Sequence, residues 1–158
     1  MLILSFEVPV PEVLSENFLY RPGFKNRHSF LYLDPKIAKY KEFIINHIDN
    51  NYDLSCLPSE ITGIMSEYRF YMNPDTFWNR DVTNAVKAVE DAHFSVFRKH
   101  IPNLDDSQVI SSTAVKIASK TPLIHSRFAF LDSPDQNQFL MTHSIFNLLL
   151  GDSCEPVS

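Results

Sequence analysis

Glycine is scarce. The chain holds only 3 glycines in 158 residues, which argues against a loop that cradles nucleotide phosphates, so no nucleotide cofactor is expected. Cysteine is scarcer still. Cys56 and Cys154 lie far apart and share no metal-type spacing with each other. His28, His47, His93, His100, His125 and His143 add none, so a structural zinc is not expected. The two cysteines read as free thiols of a reducing cytoplasm. No apolar run is long enough to cross a membrane. The start, Met1 to Phe6, lacks a basic leader and a small-residue cleavage site, and reads as a first strand, not a signal peptide. Local signatures of a serine or cysteine nucleophile are also missing.

What is present fits one folded domain. A chain of 158 residues, 44% hydrophobic and 21% charged, can bury a real core. The net charge of -5 sits awkwardly with nucleic-acid binding, which is largely electrostatic. The charge is unevenly spread, however. Between Ser15 and Ile45 lie Arg21, Lys25, Arg27, Lys36, Lys39 and Lys41, against Glu16, Asp34 and Glu42. After Arg127 there is no Lys or Arg, while Asp132, Asp135, Asp152 and Glu155 follow. A basic N-terminal third thus precedes an acidic tail. On charge alone, an ordinary solvated surface explains the basic stretch equally well.

Periodicity gives the coarse order. Leu2 to Val8 reads as a strand broken by Pro9 and Pro11, and Ser15 to His28 as an irregular loop. Ser29 to Leu33 is a short strand. Asp34-Pro35 opens a helix whose apolar residues Ile37, Tyr40, Ile44 and Ile48 carry it to about Asp49. Ile61 to Met72 contains a strand, Asp81 to about Lys99 is the strongest helix, and Gln108 to Ala118 and His125 to Leu131 are further strands. Pro134 opens a last helix containing Phe139, Leu140, Phe146 and Leu149, ended by Gly151. The order suggests a single α+β domain with a small mixed sheet packed with helices.

The chemistry concentrates between Arg80 and Val109. Placed on a helix at 100° per residue, Val86, Val89, His93 and Val96 form a buried stripe, with His93 as a satisfied core histidine. Asn84, Lys87 and Asp91 fall opposite, flanked by Thr83 and Glu90. Asp81 stands at the helix start, and Asp105 and Asp106 where the next strand begins. Singly, each has a plain structural explanation. Asp81 is a helix cap, Lys87 and Asp91 a surface ion pair, and Asp105-Asp106-Ser107 a turn. Together, several carboxylates at the ends of adjacent elements suit a hard divalent cation, and a neighbouring lysine suits developing negative charge. That combination points to phosphoryl-transfer chemistry and leaves the substrate open.

Asp81, Asn84, Lys87 and Asp91, followed by Asp105, Asp106, Gln108 and Val109, resemble the D-x-D-N-x-x-K-x-x-x-D and D-D-x-Q-V segments of the RusA family of Holliday-junction resolvases. The upstream strand with prolines, the loop bearing Asn17, Tyr20 and Arg21, and a lysine-bearing helix extend the likeness to roughly Phe6–Leu131. The resemblance implies a dimeric RusA-like nuclease domain over 1–132, with 133–158 as a C-terminal helix and acidic tail of the same domain. It implies a homodimer that cuts four-way DNA junctions by phosphodiester hydrolysis with Mg²⁺ or Mn²⁺. Asp81 and Asp106 would be the essential acids and Lys87 the catalytic lysine. Asp91 and Asp105 would be supporting ligands, or groups just behind the ligands. Because family members are often encoded by phages and prophages, a phage protein working in the cytoplasm of a bacterial host is the expected setting.

One departure stands out. Thr83 occupies the position of the family's second aspartate and offers only a neutral oxygen. Glu90, two helical turns along and on the order of 10 Å away, is expected to restore part of the missing charge. Arg21, Lys25, Arg27, Lys36 and Lys39 would track DNA phosphates without reading bases. Tyr20, Phe24 and Phe30 could stack on exposed bases, but core or loop anchoring is the preferred explanation for them. Two other functions stay open: a junction-binding protein with a weakened active site, and a phage accessory protein that contacts a partner through the acidic tail.

Overall fold

A computed structural model of the chain describes residues 1–14, 20–25 and 28–132, with the backbone alone for most of 20–33. The expected last helix and acidic tail, and Arg27, lie outside the described residues. The elements run β1 (Leu2–Pro9), β2 (Tyr20–Lys25), β3 (His28–Leu33), α1 (Pro35–Asn51), β4 (Gly63–Met72), α2 (Val82–Phe97), β5 (Val109–Ala118) and β6 (Leu123–Leu131), with 3₁₀ turns at Phe77–Asn79 and Asp106–Gln108. None of the helices described is long and apolar enough to cross a membrane.

Four strands form a mixed sheet in the order β1-β6-β4-β5. β6 runs antiparallel to both β1 and β4, whereas β5 runs parallel to β4. A parallel pair requires a crossover, and α2 provides it. This decides where the chemistry can lie, because both ends of the crossover helix carry candidate site residues. The loop leaving β4 delivers Asp81 to the start of α2, and the loop leaving α2 delivers Asp105 and Asp106 to the start of β5.

One expectation needs correction. Residues 20–25 are not irregular loop but strand β2, paired antiparallel with β3 in a separate two-stranded sheet. Pro22 and Gly23 in its middle disguise it as a turn. Proline is tolerated in this ribbon because an edge position leaves its missing N–H facing away from the partner strand.

α1 starts as its sequence demands. The Asp34 side chain accepts from the Lys36 N–H at 2.8 Å and Pro35 occupies the first turn. Ile37, Tyr40, Ile44 and Ile48 are buried. With α2, this helix covers one sheet face, where Phe6, Tyr68, Phe70, Phe94, Phe97, Phe128 and Phe130 are all fully buried. The buried side of α2 is broader than the predicted stripe. Ala85, Ala88, Val89, Ala92, His93, Phe94, Val96 and Phe97 are buried, while Val86 is only half-buried. The three alanines explain the shift, since a small side chain lets α2 sit close to its neighbours. His93 is wholly buried and satisfied, its ring nitrogens lying 2.8 Å from the Val89 carbonyl and 2.7 Å from the Ser126 hydroxyl. On the opposite sheet face Met65, Ala129 and Leu131 are buried, and Glu67 forms ion pairs with Arg69 at 2.7 Å and with Arg127.

Candidate active site on the crossover helix

Asp81 is the N-cap of α2. One of its oxygens accepts from the Thr83 N–H at 2.9 Å and the other from the Asn84 amide at 2.8 Å. The capping role and a metal-binding role are compatible, since a carboxylate has about four lone-pair positions and capping uses two. Asp81 and Asn84 therefore form one preorganised unit at the helix start.

Two turns along, Lys87 donates to Asp91 at 2.5 Å and lies 3.6 Å from Asp106. Asp91 is bridged on its other oxygen by Lys41 of α1 at 2.6 Å. Burial pushes the Asp91 carboxyl up, but the hydrogen bonds and charges of Lys41 and Lys87 outweigh it and hold it below its ordinary value. The hydrogen bond to Asp91 in turn raises Lys87, so it is a firm ammonium.

Asp106 is placed by Arg98. The guanidinium donates to the Leu104 carbonyl at 3.1 Å and to Asp106 at 2.7 Å, tying the loop after α2 back onto the helix. Asp105 has a different local task. It accepts from the Ser107 N–H at 2.8 Å, while its own N–H donates to the Gln108 side chain at 2.9 Å, a reciprocal cap. The Ser107 hydrogen bonds lower its carboxyl. Gln108 also donates to the Ile61 carbonyl at 2.8 Å, anchoring the turn to the strand entrance.

Glu90 accepts from the Tyr68 hydroxyl of the sheet at 3.4 Å, and stays within electrostatic reach of Lys87, Asp91 and Asp106. Burial raises its carboxyl above the ordinary value. Thr83 is exposed at the helix start. Lys36 and Lys39 are exposed on α1, and Arg21 and Lys25 lie on β2.

The structure thus joins Lys87, Asp91 and Asp106 into one charged cluster. Asp81 stands six residues before Lys87, about 9 Å along the helix axis. Among the described residues no three acidic, histidine or cysteine side chains gather around one point. The donor chemistry nevertheless fits Mg²⁺, which keeps several waters and is usually bound through one or two carboxylates plus substrate phosphates. Asp81 and Asp106 are exposed oxygen donors of that type. Two cluster members escaped the sequence reading as site residues, Lys41 and Arg98. Lys41 comes from a helix fifty positions away, and only the packing of α1 on α2 brings it in. Arg98 caps the C-terminal end of α2, and its reach depends on the fold of the following loop.

The family model for the endodeoxyribonuclease RusA matches residues 19–125. That span contains Asp81, Asn84, Lys87, Asp91, Asp105 and Asp106. No curated protein matches the chain.

Proposed function

The chain belongs to the RusA endodeoxyribonuclease family, and from that premise we propose that it is a Mg²⁺- or Mn²⁺-dependent endonuclease that resolves four-way DNA junctions. The observation that carries this reading is Lys87, held 2.5 Å from Asp91 and 3.6 Å from Asp106, within the span of the family match. Asp81 and Asp106 would hold the metal, with Glu90 adding negative charge nearby. When bound, the metal supplies an activated water and neutralises phosphate charge.

The residues of the chain do the rest. Asn84 fixes the Asp81 carboxylate. Asp91 and Asp106 orient the Lys87 ammonium, which stabilises charge developing on the phosphate oxygens and protonates no leaving group in this scheme. Asp105 holds the turn that carries Asp106, and Thr83 contributes a neutral oxygen beside Asp81. Arg21, Lys25, Arg27, Lys36 and Lys39 position the backbone of the DNA. Two copies in a homodimer would place two such sites for paired cuts on a two-fold junction. The setting proposed is the cytoplasm of a bacterial cell carrying a phage genome.

A labelled four-way junction, incubated with Mg²⁺, Mn²⁺ or chelator beside an Asp106→Asn control, tests the reading. Symmetric, metal-dependent nicking that is lost in the variant is expected. Tight junction binding without cutting would overturn the nuclease and favour a binding protein with a weakened site. The specific observation behind that second reading is Thr83 in place of an acid, together with the lack of a three-carboxylate cluster among the described residues. If the chain neither binds nor cuts, a partner contact through the acidic tail becomes the better explanation.

A further inference from the structure

Trp78 is the sole tryptophan of the chain, and 85% of it is exposed to solvent. Single exposed apolar residues are ordinary, but tryptophan is among the most buried types on average. Its setting is also unusual. Trp78 lies in the 3₁₀ turn Phe77–Asn79, three residues before Asp81, so the two α-carbons are within about 11 Å.

The turn is fastened from below. Lys116 of β5 donates to the carbonyls of Phe77 at 3.0 Å and Arg80 at 3.2 Å. The same ammonium lies 4.8 Å from the Phe77 ring centre and 5.9 Å from that of Trp78. Phe77 meets Trp78 edge-on at 5.0 Å, and Arg80 is ion-paired with Glu12. An ammonium, two carbonyls and an ion pair thus fasten a turn whose outermost side chain, beyond its edge contact with Phe77 and the Lys116 ammonium, faces solvent. A flat ring presented to solvent from a fastened backbone is well suited to stacking.

We infer that Trp78 stacks on the base face exposed where the helical arms part at the branch of the DNA, beside the Asp81 end of α2. The inference rests on the nuclease reading above and names one contact that would distinguish branched DNA from duplex. Stacking needs no sequence match, because every base has a π face. A continuous duplex keeps its base pairs stacked on one another and offers that ring nothing, whereas an opened branch point interrupts the stack and exposes the faces of the flanking pairs.

Because Trp78 is the only tryptophan, intrinsic fluorescence reports it directly. The purified chain is titrated with a four-way junction, and with a duplex of the same sequence, in chelator so that no cutting occurs. Affinity is read in parallel from the anisotropy of a dye on the DNA. The expected result is quenching and protection from acrylamide with the junction and not with the duplex. Trp78→Ala should weaken junction binding by about tenfold, in line with the loss of one base–aromatic stack. Trp78→Phe should recover most of it. Junction binding by Trp78→Ala within twofold of the parent would overturn the inference, as would anisotropy binding without quenching. A change in sedimentation of Trp78→Ala at unchanged DNA affinity would assign the ring to a protein contact instead. If the parent chain shows no anisotropy change with any DNA, the nuclease reading itself fails and takes this inference with it.

Discussion

Lys41 of α1 donates to Asp91 of α2 at 2.6 Å, and this single bond links the basic helix to the polar face of the crossover helix. Lys87 takes the other oxygen of the same carboxylate. Asp91 therefore acts as a clamp on two ammonium groups, and in the proposed mechanism its role is to hold Lys87 in place.

Removing the clamp should separate folding from chemistry. Asp91→Asn leaves the largely buried Lys41 and the exposed Lys87 facing a neutral amide, at a cost of about 1–3 kcal/mol for a charge-assisted bond lost. Chemical denaturation should show that loss. Cleavage should fall further than stability explains, because Lys87 is no longer aimed. A double-mutant cycle with Lys41→Met should give a clear coupling energy. Strict additivity would mean that the bridge does not hold the site together.

Lys87→Met should keep junction binding and lose about 100-fold or more in cutting rate, the scale for removing one donor to a developing charge. The Asp91 hydrogen bond raises Lys87 above the ordinary lysine value. It stays charged well past neutrality, and the rate should show no decline from its deprotonation up to about pH 9. A single-turnover assay at saturating enzyme measures this directly, and an alkaline drop that disappears in Lys87→Met would contradict it.

Glu90 tests whether the charge absent at Thr83 is supplied from elsewhere. Its carboxyl bonds Tyr68, and burial raises its proton affinity. Glu90→Gln should raise the Mg²⁺ concentration needed for half-maximal cutting by several-fold while leaving the melting temperature nearly unchanged. Thr83→Asp in the same background should restore the lower requirement. An unchanged metal dependence in Glu90→Gln removes this residue from the site and leaves Thr83 uncompensated.

The polar face of α2 was legible in the sequence because a helix repeats every 3.6 residues, so Asn84, Lys87 and Asp91 had to share a side. The strand and helix order followed from the same periodicities. Three features did not. β2 was hidden by Pro22 and Gly23, whose local preferences mimic a turn while pairing with β3 overrides them. The parallel pairing of β4 and β5 is a tertiary choice with no local signal. Lys41 and Arg98 join the site through helix packing and loop closure, and long-range contacts of that kind leave no spacing rule to read. Asp105 shows the converse: the D-D-x-Q-V segment looked like a pair of acids, whereas Asp105 and Gln108 cap each other and Asp106 is the carboxylate that meets Lys87 and Arg98.

Acid should destabilise the fold through His93. This imidazole is fully buried under Phe6, Tyr68, Phe97 and Phe128. Burial lowers its pKa from 6.5 to about 4. The unfolded chain therefore binds a proton below pH 6.5 that the folded chain refuses. The stability associated with neutral His93 is complete above about pH 6.5 and drains away as the pH falls toward 4. The full depression corresponds to about 3 kcal/mol. Melting temperatures measured in this window should fall steeply for the parent chain. His93→Gln, which keeps an amide able to meet Ser126 but cannot titrate, should start less stable because the aromatic packing is lost, and should show a much flatter slope. Equal slopes in the two proteins would place the acid sensitivity on the carboxylate pairs, with Glu67 and Asp91 as the first to examine, since both are held below the ordinary carboxylate value by cationic neighbours despite their burial.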